Sequence, residues 1–287
     1  MIIIFALIGI VFSFFEFLIH PFVHSYNRCY IFFTIETVFG LSKNAKTLLL
    51  KIYSSLYCTI LSFLSIIFIY RYWFLLNFSR TKYFNGFRLF IWFAISLISG
   101  YIWKLTLDLM EINEESESFM SDIFVENYKK NISEVPGLIF MIYDSKDVLN
   151  LQHLSVSIIT ISLVVIQYSI MIYCGIRMHF KIRGKVKMFC PRNQLLQKQL
   201  VNALIRQIIV PSITIDFPVL PIYILPYFKT NINLETGMVV ATLSSFPLMD
   251  SLILMYSVSE YRKHFKFSKT EVSSNLATTM GSIGFHN

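Results

Sequence analysis

Six long apolar runs, separated by polar stretches, organise the sequence. They cover Ile2–Leu18, Leu48–Tyr70, Leu89–Leu107, Leu154–Tyr173, Ile208–Tyr227 and Met238–Val258. Each is close to the ~20 residues that a helix needs to cross a hydrocarbon core. Within each run the apolar residues are continuous, which excludes the period-two pattern of an outer-membrane barrel. An open sheet would leave backbone N–H and C=O groups unpaired in lipid, so helices are the expected element. Lys104, near one end of the third run, is expected to snorkel its amine to the interface. The predicted fold is an all-α polytopic membrane helix bundle over residues 1–262, with a disordered polar tail over 263–287.

Charge along the chain orients these spans. Arg71, Arg80, Lys82 and Arg88 lie between the second and third spans with no acid among them. Between Arg177 and Arg206 lie Lys181, Arg183, Lys185, Lys187, Arg192 and Lys198, again without an acid, and Arg262, Lys263, Lys266 and Lys269 follow the last span. The positive-inside rule puts all three regions, and with them the C-terminus, in the cytoplasm. The Asp108–Asn150 segment is acidic and is read as an outer lid. It contains the sequon Asn131-Ile132-Ser133, so Asn131 is a candidate glycosylation site, whereas Asn77-Phe78-Ser79 falls on the cytoplasmic side and should be unused.

Composition agrees with embedding. Of 287 residues 55% are hydrophobic and only 15% charged, well short of the roughly one quarter charged in soluble domains. The formal net charge of +8 flanks membrane helices, which argues against a nucleic-acid partner. The four cysteines and six histidines are scattered, so no metal or other cofactor is expected. Cys29 is the sole cysteine on the outer side, and is therefore either free or paired with another chain. No phosphate-binding loop, nucleophile elbow or catalytic carboxylate pair stands at usable spacing, so no enzyme activity is expected.

Several ordered motifs resemble the nematode serpentine chemoreceptors of the Str superfamily, which are seven-helix, G-protein-coupled receptors. Pro21-Phe22-Val23-His24-Ser25-Tyr26 is similar to the turn that leaves that family's second helix, and Arg71-Tyr72 to the pair ending its third. Gln197-Lys198-Gln199-Leu200, Ala203-Leu204, Gln207 and Pro211 resemble the entry to its sixth helix. Phe246-Pro247-Leu248-Met249-Asp250, followed by Tyr261-Arg262, resembles its seventh helix and exit. The likeness runs from Met1 to about Lys266. It departs from the family in showing six spans where the family has seven, the first being absent, and in Ser251 where a proline often stands.

The resemblance implies a plasma-membrane receptor, in a sensory cilium, that detects a small odorant and signals to a heterotrimeric G protein. Arg71 and Tyr72, with Pro247, Asp250, Lys185 and Lys187, become candidates for coupling and switching at the cytoplasmic side. The structural alternative for Arg71 is a snorkelling interfacial charge. Asp216 and Asp250 lie inside predicted spans, where ionisable groups are expensive and face a polar interior. Prolines 211 and 218 flank Asp216 and allow a kink there. Tyr53, Tyr57 and Tyr223 lie in outer halves of their spans and, with Asp216, are candidate ligand-pocket residues. The competing functional readings are a transporter or ligand-gated channel, and a receptor remnant that does not signal.

Overall fold

The computed structural model describes residues 2–35, 40–144, 146–185, 199, 201–209, 212–228 and 233–235, with isolated helical residues between 242 and 257. Its helices follow the apolar runs. Helix α1 is Ile2–Ile19, α2 Lys43–Leu76, α3 Arg88–Asp108, α4 Glu114–Tyr128 and α5 Leu151–Lys185. Residues 201–209 are helical and, beyond Pro211, a π-helical turn over Ser212–Asp216 feeds α6, Phe217–Ile224. Among the described residues, three helices are long and apolar enough to cross a membrane: Lys43–Leu76, Arg88–Asp108 and Leu151–Lys181. Ile3–Ile19 and Phe217–Phe228 are shorter apolar helices. The last predicted span falls mostly outside the described residues.

Helix α2 is the centre of the bundle. Phe63, Leu64 and Phe68 are fully buried there and join one core with Phe5 and Phe12 of α1 and Met171, Cys174 and Met178 of α5. Its contact with α3 is a seam of small residues. Ser62 Oγ lies 3.3 Å from Ser99 Oγ, Cys58 Sγ donates to the Ser99 carbonyl at 3.6 Å, and Trp103 Nε1 donates to Ser54 Oγ at 3.0 Å. Gly100 faces Thr59 and Ser55 so closely that a Cβ would stand 2.1 Å from Thr59 Oγ1. Lipid tails are as apolar as the helix faces, so such close approach and interhelical hydrogen bonds are what bind membrane helices.

Three spans differ in extent from the apolar runs. Helix α2 begins five residues before Leu48 and ends six after Tyr70, so Arg71 and Tyr72 stand within it. Helix α5 continues twelve residues past Tyr173, so Arg177 and Lys181 stand on a helix and not in a loop. Its 35 residues span ~52 Å at 1.5 Å per residue, well beyond a ~30 Å hydrocarbon core. The run Ile208–Tyr227 is not one helix. It passes from residues 201–209 through the π turn to α6 and a 3-10 turn at Leu225–Phe228. Pro218, Pro221 and Pro226 each lack a backbone donor, and such losses interrupt the ladder.

The end of the bundle that the charge pattern predicts to face outward carries what the all-helical reading did not contain: among the described residues, a four-stranded antiparallel sheet in the order β3-β2-β1-β4. The strands are β1 Pro21–Tyr26, β2 Cys29–Thr34, β3 Gly137–Met141 and β4 Asn233–Glu235. The Pro21–Tyr26 segment, expected as a turn, is thus an extended strand paired Tyr26 to Cys29 with β2. Asn27 turns the hairpin with φ +50°, a conformation that asparagine tolerates well. Three connections at this end supply strands, so one sheet ties them together.

Period-two alternation gives that sheet two covered faces. Tyr30, Leu138 and Phe140 point down onto Trp103, Leu107, Val156 and Ile222 of the bundle. Cys29, Ile31, Phe33, Ile139 and Met141 point the other way, onto Met120 and Phe124 of α4. Helix α4 starts with a reciprocal capping box between Asn113 and Ser116, and carries Glu114, Glu115 and Glu117 in its first turn, where the helix dipole favours acids. The acidic segment is therefore an ordered roof over the bundle.

Candidate functional site

Beneath this roof, three spans meet around one carboxylate. Tyr57 of α2 donates to Asp216 Oδ1 at 2.6 Å, and Tyr168 of α5 donates to Asp216 Oδ2. The Ser212 hydroxyl lies 3.3 Å from the Tyr168 hydroxyl and donates back to the Ile208 carbonyl at 2.9 Å. Ser212 and Asp216 are the first and last residues of the π turn. Such π segments interrupt α-helices mostly at functional places. Tyr57, Tyr168 and Asp216 are all half-buried.

The neighbouring rung of the α2–α5 contact is also polar. Gln167 Nε2 donates to Cys58 Sγ at 3.5 Å, and Gln167 Oε1 is buried with no hydrogen-bond partner among the described residues. Above Asp216 the site becomes aromatic. Tyr223 of α6 packs against Tyr30 of β2 with ring centroids 5.5 Å apart, and Tyr30 stacks on Phe140 of β3 at 5.1 Å. Trp103 meets Tyr57 edge-on at 6.2 Å. Roof and bundle are thus joined through the side chains that surround the polar cluster.

Of the four expected pocket residues, the structure brings Tyr57 and Asp216 into contact and sets Tyr223 in the adjoining aromatic cluster. Tyr53 goes elsewhere. Its ring stacks on Phe12 of α1 at 4.8 Å and on Phe32 of β2 at 6.4 Å, so it belongs to the α1–α2 interface. Tyr168, Gln167, Ser212 and Tyr30 were not singled out in the sequence. The available signal was the Gln167-Tyr168 pair in the middle of an apolar span, since polar side chains there are costly unless used.

At the opposite end, Tyr72 packs against Tyr173 of α5 with centroids 6.1 Å apart. The Arg177 guanidinium interacts with both phenols and lies 5.8 Å from the Tyr173 ring centroid. Arg71 stands 5.9 Å from the ring of its neighbour Tyr70. Arg206, on helical residues 201–209, reaches Ser257 Oγ at 3.1 Å. The α2–α3 connection is packed with aromatics, Phe84 stacking on Trp92 at 4.8 Å, while Arg80, Lys82 and Arg88 are exposed. This is the mixture of basic and aromatic groups expected at a cytoplasmic interface. Lys185 ends α5; Lys187, Pro247 and Asp250 lie outside the described residues.

A further group of charges lies at the roof end of α2 and α3. Lys51 is buried in α2 and pairs with Asp108 at 2.8 Å and with Glu111, and Lys104 pairs with Asp108 at 2.6 Å. Lys104 is therefore paired with an (i, i+4) partner. Cys29 is fully buried in the roof and donates to the Tyr26 carbonyl at 3.2 Å. Burial pushes its thiol up to about 12, so it stays protonated at neutral pH. Of its two expected states, free or paired with another chain, only the free thiol fits this burial. Asn131 is exposed, as is Ser133 two residues on.

The chain matches the family model described as "Serpentine type 7TM GPCR chemoreceptor Str" over residues 1–266. It is 35% identical over 269 residues to "G-protein coupled receptor str-33" of Caenorhabditis elegans, covering 91% of this chain and 78% of that protein. It is also 24% identical over 292 residues to "Serpentine receptor class r-10" of the same organism, covering 97% of this chain and 84% of that one. The receptor of that name from Caenorhabditis briggsae is 24% identical over 295 residues, with the same coverage. No solved structure matches.

Proposed function

The chain belongs to the Str family of serpentine seven-transmembrane chemoreceptors, and from that membership we propose that it detects a small odorant under the outer roof and signals to a heterotrimeric G protein. It is a multi-pass membrane receptor and not an enzyme. The observation that carries the proposal is the Tyr57–Asp216–Tyr168 cluster, where α2, α5 and the π turn share one carboxylate. A ligand that changes these hydrogen bonds changes how three spans meet. The same α2 and α5 meet again at Tyr72, Tyr173 and Arg177 on the cytoplasmic side. Two packings of that inner contact would form the bistable element that a receptor needs, and ligand binding would bias it. Arg71, on α2 beside this contact, is the residue proposed to meet the G protein, with the basic end of α5 through Lys185 and on to Lys187.

A G-protein biosensor in cells, read over a panel of short ketones, esters, alcohols and amines, tests the proposal. The expected result is a concentration-dependent signal that requires the G protein. Ligand-evoked current in a bilayer without G protein would favour a channel instead.

We propose the plasma membrane of a sensory cilium as its location, with the roof outside and the C-terminus in the cytoplasm. This topology is read chemically. Endoglycosidase treatment is expected to shift the receptor on a gel, Asn131→Gln to remove that shift, and Asn77→Gln to leave it. A glycan that survives Asn131→Gln and is lost in Asn77→Gln would invert the topology.

A further inference from the structure

We infer that the Asp216 cluster is a binding site for a small protonated amine; the inference rests on the receptor reading above and names the ligand class of its site. What the cluster offers is acceptors. Each Asp216 oxygen receives one phenol hydrogen, and a carboxylate oxygen has capacity for a further bond. The Tyr57 and Tyr168 hydrogens are committed to Asp216, so their oxygens can only accept from a ligand. Gln167 supplies a buried amide oxygen with no partner among the described residues, from the residue next to Tyr168. A ligand for this set must donate several hydrogen bonds.

Charge selects among donors. Among the described residues no lysine, arginine or histidine pairs with Asp216, whereas Asp108 and Glu111 in the outer half pair with Lys51. A carboxylate in a lipid-embedded bundle without a counter-charge is costly, and an ammonium removes that cost as it binds. An ammonium also brings up to three donors, enough for both Asp216 oxygens and a phenol oxygen. The surrounding rings suit a cation with a hydrocarbon body. Tyr57 and Trp103 meet at 6.2 Å, with Tyr223 and Tyr30 above, and aromatic faces attract cations while their area takes up apolar surface. A neutral alcohol of the same shape gains the second contribution and lacks the first.

The test uses the full chain in nanodiscs and in cells, with three matched pairs: isopentylamine and isopentanol, cyclohexylamine and cyclohexanol, 2-phenylethylamine and 2-phenylethanol. Thermal unfolding reads binding, because a ligand that binds the folded state raises Tm. The G-protein biosensor reads signalling. At least one amine is expected to raise Tm and bind about tenfold or more tightly than its alcohol, as loss of a charge-assisted hydrogen bond implies. Asp216→Asn is expected to remove that preference. If Asp216→Asn does not reach the membrane, Tyr168→Phe serves instead and is expected to weaken amine binding several-fold. Alcohols equal to amines, or an amine preference that survives in Asp216→Asn, would overturn the site. A neutral odorant that signals equally in wild type and Asp216→Asn would overturn it too and leave the receptor reading standing. Amines that bind through Asp216 and activate no G protein would leave the site standing and remove the receptor reading.

Discussion

Gly100→Leu is expected to abolish delivery of folded receptor to the cell surface. At Gly100 a single Cβ would already stand 2.1 Å from Thr59 Oγ1 and 3.0 Å from the Ser55 carbonyl oxygen. Thr59 cannot easily turn away, since it is β-branched and its hydroxyl donates to the Ser55 carbonyl at 3.1 Å. Leucine would push α3 off α2 and break the Ser62–Ser99, Cys58–Ser99 and Trp103–Ser54 contacts together. Overpacking costs ~1–3 kcal/mol and each lost hydrogen bond about 1 kcal/mol. The sum is comparable to a whole folding free energy. Gly100→Ala should be intermediate, and Thr59→Ala combined with Gly100→Ala should recover most of the loss. Surface staining and size-exclusion profiles of the four proteins check this ordering. A Gly100→Leu receptor that unfolds at the wild-type temperature would contradict the seam.

The second large effect concerns Lys51. Removing both acids with Asp108→Asn and Glu111→Gln strands an ammonium whose side chain is only 6% exposed. Uncompensated buried charges cost ~3–5 kcal/mol, and the lower end applies because Glu111 is 64% exposed. Lys51→Met should be close to neutral, because it removes the charge together with the need for a partner. Thermal unfolding in detergent reads the contrast. Lys51→Met as damaging as the double acid variant would mean that the pair itself, and not its desolvation, holds the outer end of α2 to α3.

The spans were legible because lipid imposes a strong rule. Twenty apolar residues in a row leave few alternatives, and α1 and α3 fall within two residues of their predicted limits. The roof was not legible for the opposite reason. Tyr30 and Phe32 face the bundle while Cys29, Ile31 and Phe33 face α4, so β2 is apolar at nearly every position and shows no alternation. Helix α5 ran longer than its apolar run because nothing at Arg177 or Lys181 stops a helix; hydropathy marks where lipid ends, not where the helix does. Asp216 was visible as an acid in a span. Its partners depend on contacts between residues 48 and 159 positions apart, and no local pattern encodes these. The resemblance to serpentine chemoreceptors rested on motifs at span ends, and the match over residues 1–266 bears it out.

The proposed mechanism assigns separate tasks to the two ends of α2, ligand reading at Tyr57 and G-protein contact at Arg71. Nucleotide exchange on a purified heterotrimeric G protein, with the full chain in nanodiscs and a ligand found by thermal shift, tests that division most directly. The prediction is that ligand accelerates exchange. Tyr57→Phe with Tyr168→Phe should lower potency by on the order of tenfold, two hydrogen bonds' worth, at unchanged maximal rate. Arg71→Ala should lower the maximal rate while the thermal shift by ligand persists. A ligand that binds wild type yet leaves exchange at its basal rate would contradict the account.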